Sequence, residues 1–296
     1  WTGQLRGDAG SATGFVVRKR VVATAGHVVF DDGTLSAATG LQWLFQRDRG
    51  VHEPLPQTPR GYYLMTGYAA QRAADDSPGN STPASQNLDA AALYFSADAG
   101  RGGYSGYLAS DSTVNEFIIS TSKKSLIGYP INGISTLNQG RLHATAAANV
   151  GFVSAFGRTY TTSEIRSSGG NSGGPLCVLH QNGSWYPAAI FLGGTAQTVV
   201  RAIDSEITNL FGFAEASGNA DSTGTGGTGV FGEGVPNGSP TLGSLKITIQ
   251  PAPARSAGAG WRINPDQPYL SSGSTQQNIP PGQYTVQFPT IPGFVK

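Results

Sequence analysis

The sequence contains one cysteine, Cys177. A single thiol excludes an intramolecular disulfide and any cysteine-based metal site. Charge is also scarce: Asp, Glu, Lys and Arg make up 12% of the 296 residues and nearly cancel, leaving a formal charge of +1. Globular proteins ordinarily carry about twice that charged fraction. A near-neutral chain lacks the basic footprint that nucleic acid or an anionic membrane surface would need, so neither is expected as a partner. The only dense basic run, Arg18-Lys19-Arg20, lies between Val16-Val17 and Val21-Val22 and reads as the exposed turn of a hairpin. No apolar run reaches the ~18 residues of a transmembrane helix. The four histidines, His27, His52, His143 and His180, show no ligand spacing, and no metal or other cofactor is expected.

Glycine and turn residues are abundant instead. The chain has 42 glycines and 18 prolines, with 38% hydrophobic residues. Short apolar runs bounded by turn residues recur, such as 14–17, 91–95, 116–120 and 188–192, and each reads as a strand. An all-β fold is therefore expected. Val200, Ile203, Ile207, Leu210 and Phe211 instead recur at steps of three and four, which predicts one amphipathic helix ending at Gly212. Residues 216–243 are rich in Gly, Ser, Thr and Asn and read as a flexible linker. Beyond it, 245–249, 260–263 and 283–288 alternate apolar and polar residues, predicting a small β module over 244–296, cut short at its end. The expected division is thus a first domain over 1–215, a linker and the module.

The stretch RSSGGNSGGPLC, residues 166–177, places Ser172 among four glycines and a proline. Glycine at 170 and 173 permits backbone conformations closed to residues with a Cβ. In such a turn the N–H groups of Gly170 and Ser172 can converge beside the serine hydroxyl and hold the oxyanion of a tetrahedral intermediate. A serine hydroxyl needs a base to become a nucleophile. His27, in VVATAGHVVF, is the candidate, since imidazole titrates near neutrality. Asp89, in NLDAAALYF, is the candidate acid that fixes its tautomer, because a lone carboxylate entering an apolar strand needs a partner. Asp75 and Asp76 lie in polar AADDSPGN and read as loop residues. His52 and His143 read as surface or strand residues, and Cys177 as a buried small hydrophobe.

The segments GSATGFVV, TAGHVV, NLDAAAL and GGNSGGP, in that order, resemble those of trypsin-like (chymotrypsin-fold) serine proteases over roughly residues 1–212. The resemblance implies two antiparallel six-stranded β-barrels with a C-terminal helix and an active site in the cleft between the barrels. It implies His27 as general base, Asp89 as the acid that orients it and Ser172 as nucleophile, with the Gly170 and Ser172 N–H groups as oxyanion hole. Val28 and Ser168 stand where animal trypsins carry cysteines, so the chain resembles the bacterial, disulfide-free members. Asn171 replaces the aspartate that in trypsins pairs with a freed N-terminus, which removes that activation switch. SSGGNSG is similar to the glutamyl-endopeptidase branch, which would make Ser167 and Ser168 side-chain-pocket hydroxyls and Gly193-Gly194 the substrate-binding strand. That branch carries a histidine where this chain has Phe191. Arg166 matches the base of the pocket, where it would favour an acidic residue before the scissile bond; a pocket lined by Phe191 would favour an apolar one.

The expected function is a bacterial serine endopeptidase, secreted or extracytoplasmic (periplasmic or at the cell surface), acting on proteins or peptides through an acyl-enzyme. The alternative is a catalytically silent surface or adhesion protein that uses the same fold as a scaffold. The module is loosely similar to small β repeats appended to bacterial surface and secreted proteins. Trp261, Tyr269 and Tyr284 would serve there either as its core or as platforms for a sugar ring, through which the module would contact glycan or the cell envelope.

Overall fold

The computed structural model describes residues 1–48, 56–75, 80–112, 114–131, 140–194, 196–224, 229–234, 243–263, 268–279 and 285–292. His52, Asp76 and Tyr284 lie outside them. The chain divides into two compact units, Trp1–Pro236 and Asn237–Lys296.

The first unit is built on two sheets, each wrapped round its own apolar core. In the first sheet the order is Gly61–Leu64, Ala91–Tyr94, Val21–Thr24, Gly10–Arg18, Thr2–Gly7 and Gln42–Phe45, all antiparallel. A seventh strand, Phe231–Glu233, adds parallel to Gly61–Leu64. The second sheet runs Lys123–Gly128, Pro175–Leu179, Trp185–Gly193, Thr198–Ala202, Thr159–Thr162 and Val153–Phe156, with the two-residue pieces His143–Ala144 and Ala148–Asn149 on the Lys123–Gly128 edge. The expected all-β, chymotrypsin-like fold with a C-terminal helix is the fold observed; each six-stranded set carries short additional strands.

Local sequence explains most of this. Val21, Val22 and Ala23 are all fully buried because their strand has the core on one side and the C-terminal helix on the other. A continuous apolar run is the pattern such a strand requires. The hairpin at Arg18–Arg20 is present, and Lys19 and Arg20 both pair with Asp98. Cys177 is buried in the Pro175–Leu179 strand, where burial pushes its thiol up to about 12.

Three expectations are corrected. Residues 116–119 form a helical turn, Glu116–Ile119, because the Asn115 side chain accepts the Phe117 N–H at 3.1 Å and caps it. Val200 belongs to the Thr198–Ala202 strand, and the helix begins only at Ser205, where Asp204 accepts the Ile207 N–H at 3.1 Å. It then runs through Gly212 to Ser222, into what reads by composition as linker, and Phe231–Glu233 pairs with the first sheet. The unit boundary consequently falls at Pro236.

The second unit holds two short antiparallel pairs, Gly243–Lys246 with Thr275–Ile279 and Gly260–Trp261 with Leu270–Ser271, and one helical turn, Ala252–Ser256. Trp261 is fully buried in it, so this ring is core and unavailable as a sugar platform. Tyr269 is 40% exposed, with the Arg262 guanidinium 4.5 Å over its ring.

Candidate active site

His27 sits in the short helix Gly26–Val29, immediately after the buried Val21–Thr24 strand. Asp89 lies between the helix Pro83–Asn87 and the strand Ala91–Tyr94, only 3% exposed. One carboxylate oxygen accepts the His27 backbone N–H at 2.9 Å, and the other meets His27 Nδ1 at 2.8 Å. The carboxylate accepts only, so Nδ1 carries the proton and Nε2 of the neutral ring is the free base. Gly26 keeps the approach open, since a Cβ there would lie 3.1 Å from the Asp89 carboxylate.

Ser172 and His27 line one pocket of about 200 Å³, with Arg6, Val28 and Leu41 among its walls. The serine loop leaves the second sheet and is pinned to the first by Thr13. Thr13 N–H donates to Ser172 O at 2.8 Å, and Thr13 Oγ1 donates to Gly170 O at 2.8 Å. Thr24 Oγ1 in turn donates to Thr13 O at 2.8 Å. Gly170 and Gly173 have φ of 93° and 81°, and a Cβ on Gly173 would come within 1.9 Å of Thr24 Oγ1. The left-handed backbone and this close approach both demand glycine. Among the described residues, the N–H groups of Gly170 and Ser172 have no acceptor. Both are donors of the serine loop without a partner.

Two further pockets hold the other expected site residues. Arg166 and Ser167 line one of about 380 Å³, together with Ser163, Ile165, Ala196, Gln197 and Thr198. Thr198 Oγ1 lies 3.2 Å from Ser167 Oγ, and Arg166 is exposed. Ser168 is half-buried and not part of that wall; its carbonyl accepts the Asn171 N–H. Gly193 and Gly194 line the other, about 230 Å³, with His27, Asp89 and Asp32. Gly194 has a φ of 121°, and a Cβ there would overlap the Gln197 carbonyl at 1.7 Å. Phe191 lines neither. At 2% exposure it points into the core of the second sheet, because its place in the strand alternation faces inward, and the expectation of a Phe191-lined apolar pocket is corrected.

Behind the His27–Asp89 pair lies a charged network that sequence reading passed over. Arg72, buried in the helix Tyr68–Ala74, pairs with Asp32 at 2.9 Å and with Asp75. Tyr68 donates to Asp32 at 3.3 Å, and Asp75 accepts the Thr82 hydroxyl at 2.7 Å. Asp75 lies just past the helix, in the loop as expected, but its side chain is a buried ion-pair partner; its spacing of three from Arg72 was the available signal. Burial pulls the His27 pKa down, but the field and hydrogen bond of Asp89, with Asp32 beyond, more than offset it and leave it raised; Arg72 opposes them. His143 is in a two-residue strand, and His180 stacks edge-on against Tyr186; neither approaches the centre. Among the described residues no group of three His, Cys, Asp or Glu side chains could hold a metal.

By sequence, no family model and no curated protein matches the chain. Solved structures do match it in fold. A Glu endopeptidase in complex with MPD superposes with a TM-score of 0.57 at 14% identity, covering 73% of this chain and 90% of that one. The protease Anisep from Arthrobacter nicotinovorans gives 0.56 at 17% identity, covering 73% and 95%. An inactivated protease paralogue of the scabies mite gives 0.50 at 14% identity, covering 73% and 94%. The chain has the fold of trypsin-like serine proteases. An inactivated protein shares that fold, so activity has to be argued from the residues of the site.

Proposed function

We propose that this chain is a serine endopeptidase that cleaves proteins or peptides through an acyl-enzyme. The observation that carries the reading is the His27–Asp89 pair, with both carboxylate oxygens committed to one histidine, in a pocket shared with Ser172. In this mechanism Ser172 Oγ attacks the scissile carbonyl while His27 Nε2 takes its proton. The Gly170 and Ser172 N–H groups bind the resulting oxyanion; each such donor is worth about 100- to 1000-fold in rate. His27 then protonates the departing amine, and a water, deprotonated by the same imidazole, releases the acyl group. Asp89 holds the tautomer and stabilises the imidazolium. No step calls for a metal or cofactor.

The acyl half of the substrate runs along Gly193-Gly194, with its last side chain in the pocket of Ser167, Thr198 and Arg166. Hydroxyls and an exposed guanidinium favour an acidic or polar residue before the scissile bond, which a peptide library varying that residue reads directly. Secretion belongs to the same proposal. It rests on the likeness of the motifs to secreted bacterial proteases, and fractionation of the source cells tests it. The described residues contain no helix long and apolar enough to cross a membrane. Glycan or envelope contact through the second unit now rests on Tyr269 alone among the described aromatic candidates. Replacing Ser172 with Ala is expected to lower peptide hydrolysis by about 10⁴-fold or more. Hydrolysis surviving intact in that variant would sink the proposal.

A further inference from the structure

The pocket that His27 shares with Ser172 is lined by the hairpin joining Thr2–Gly7 to Gly10–Arg18, whereas Gly193-Gly194 line a different pocket that also contains His27. If the acyl half of a peptide lies along Gly193-Gly194, the half that leaves departs through the first of these, where His27 must reach its nitrogen. The walls here are mixed. Leu5, Ala12, Val28 and Leu41 are buried and give an apolar floor, while Arg6 is exposed and supplies the one charged side chain lining the pocket.

Arg6 is an available cation. Among the described residues it makes no salt bridge and no side-chain hydrogen bond. The nearest carboxylate in sequence, Asp8 on the same turn, is turned onto Thr39: it accepts the Thr39 N–H at 2.9 Å, the Thr39 hydroxyl and the Ala9 N–H at 2.9 Å. Asp8 is therefore held by Thr39 and Ala9 and makes no direct ion pair with Arg6. A second cation, Arg47, follows the neighbouring strand and bonds Gln4; burial, and after it the repulsion of Arg6, holds its guanidinium below the ordinary value.

We infer that this pocket is a specificity site for the leaving half of the substrate, and that Arg6 selects a carboxylate side chain within the first two residues after the scissile bond. Glutamate fits the chemistry, its methylenes on the apolar floor and its carboxylate at the guanidinium. The inference rests on the endopeptidase reading above.

The test uses the full chain and quenched peptides with one fixed acyl half, carrying Glu or Gln at the first or second position after the bond. A p-nitrophenyl ester of the same acyl half, with no leaving-side residue, is the control. Wild type is expected to cleave the Glu peptide with a kcat/KM about two- to fivefold above Gln, the range for an exposed ion pair. The preference should shrink in ~0.5 M salt, as screening requires. Arg6→Gln should erase it, bringing the Glu peptide's kcat/KM to that of the Gln peptide. Equal rates for Glu and Gln in wild type, or a preference that survives in Arg6→Gln, overturns the assignment while the ester still shows a working enzyme. Failure of wild type on both peptides and ester overturns the endopeptidase reading itself, and this inference with it.

Discussion

The Asp89 carboxylate acts on His27 in two ways, and they separate experimentally. Its 2.8 Å contact fixes the ring, and its charge raises the ring pKa above the ordinary 6.5 against the pull of burial. The base works as neutral imidazole, so kcat/KM should rise with pH through a midpoint above ~6.5. Asp89→Asn removes the charge of Asp89 and leaves burial opposed only by the smaller field of Asp32, so the midpoint should move down in pH while kcat falls by about 10⁴-fold. A pH profile of both proteins checks it, and an unmoved midpoint would contradict the account. The same raised pKa gives the folded state stability that is fully present below pH ~6.5 and is lost as pH rises through the folded value. His27, Asp89 and Ser172 are legible as residues because chemistry restricts each to one or two side-chain types. Thr13 and Arg72 are not. Both act through partners distant in sequence, and a buried threonine or arginine has no local mark of its role.

Among the elements, the Ser205–Ser222 helix carries a glycine at its middle. Gly212 is exposed, has no positive φ, and a Cβ there would meet nothing within 4 Å. Its flexibility is therefore a cost without a structural return, and Gly212→Ala should stabilise the protein by about 0.5–1 kcal/mol. Urea denaturation measures this; a destabilised variant would mean the helix is not continuous there. The helix shows why element boundaries were hard to read. Val200 and Ile203 fall at helical spacing from Ile207, but the sheet pairs Val200 with Phe191 and Tyr160, and tertiary pairing overrides the pattern. Glu116–Ile119 failed for a related reason. A run of three apolar residues suits a strand or a buried helical turn equally, and the Asn115 cap decides it.

At the scale of the whole molecule, the segment that follows the helix belongs to the first unit. Phe231–Glu233 pairs with Gly61–Leu64, and Glu233 accepts the N–H groups of Gly67 and Ala69 at 3.1 and 2.9 Å, at the start of the helix that carries Tyr68 and Arg72. Before it, Tyr63 bonds Ser217 and Arg60 pairs with Asp221. A chain ending at Pro236 should keep the activity of the 296-residue chain on small peptides. One ending at residue 215 should melt lower by about 4 °C or more, the shift that ~1–2 kcal/mol makes in a unit of this size. Equal melting temperatures would contradict the role given to this strap. Glycine-rich composition concealed it, because a strand of three residues leaves no periodicity to read. The central claim, that Ser172 is an activated nucleophile in the folded chain, is tested most directly by intact-mass measurement after exposure to a fluorophosphonate. A single covalent adduct on wild type, absent from Ser172→Ala, is the result predicted. A folded wild type that gains no adduct, or an adduct that persists in Ser172→Ala, would contradict it.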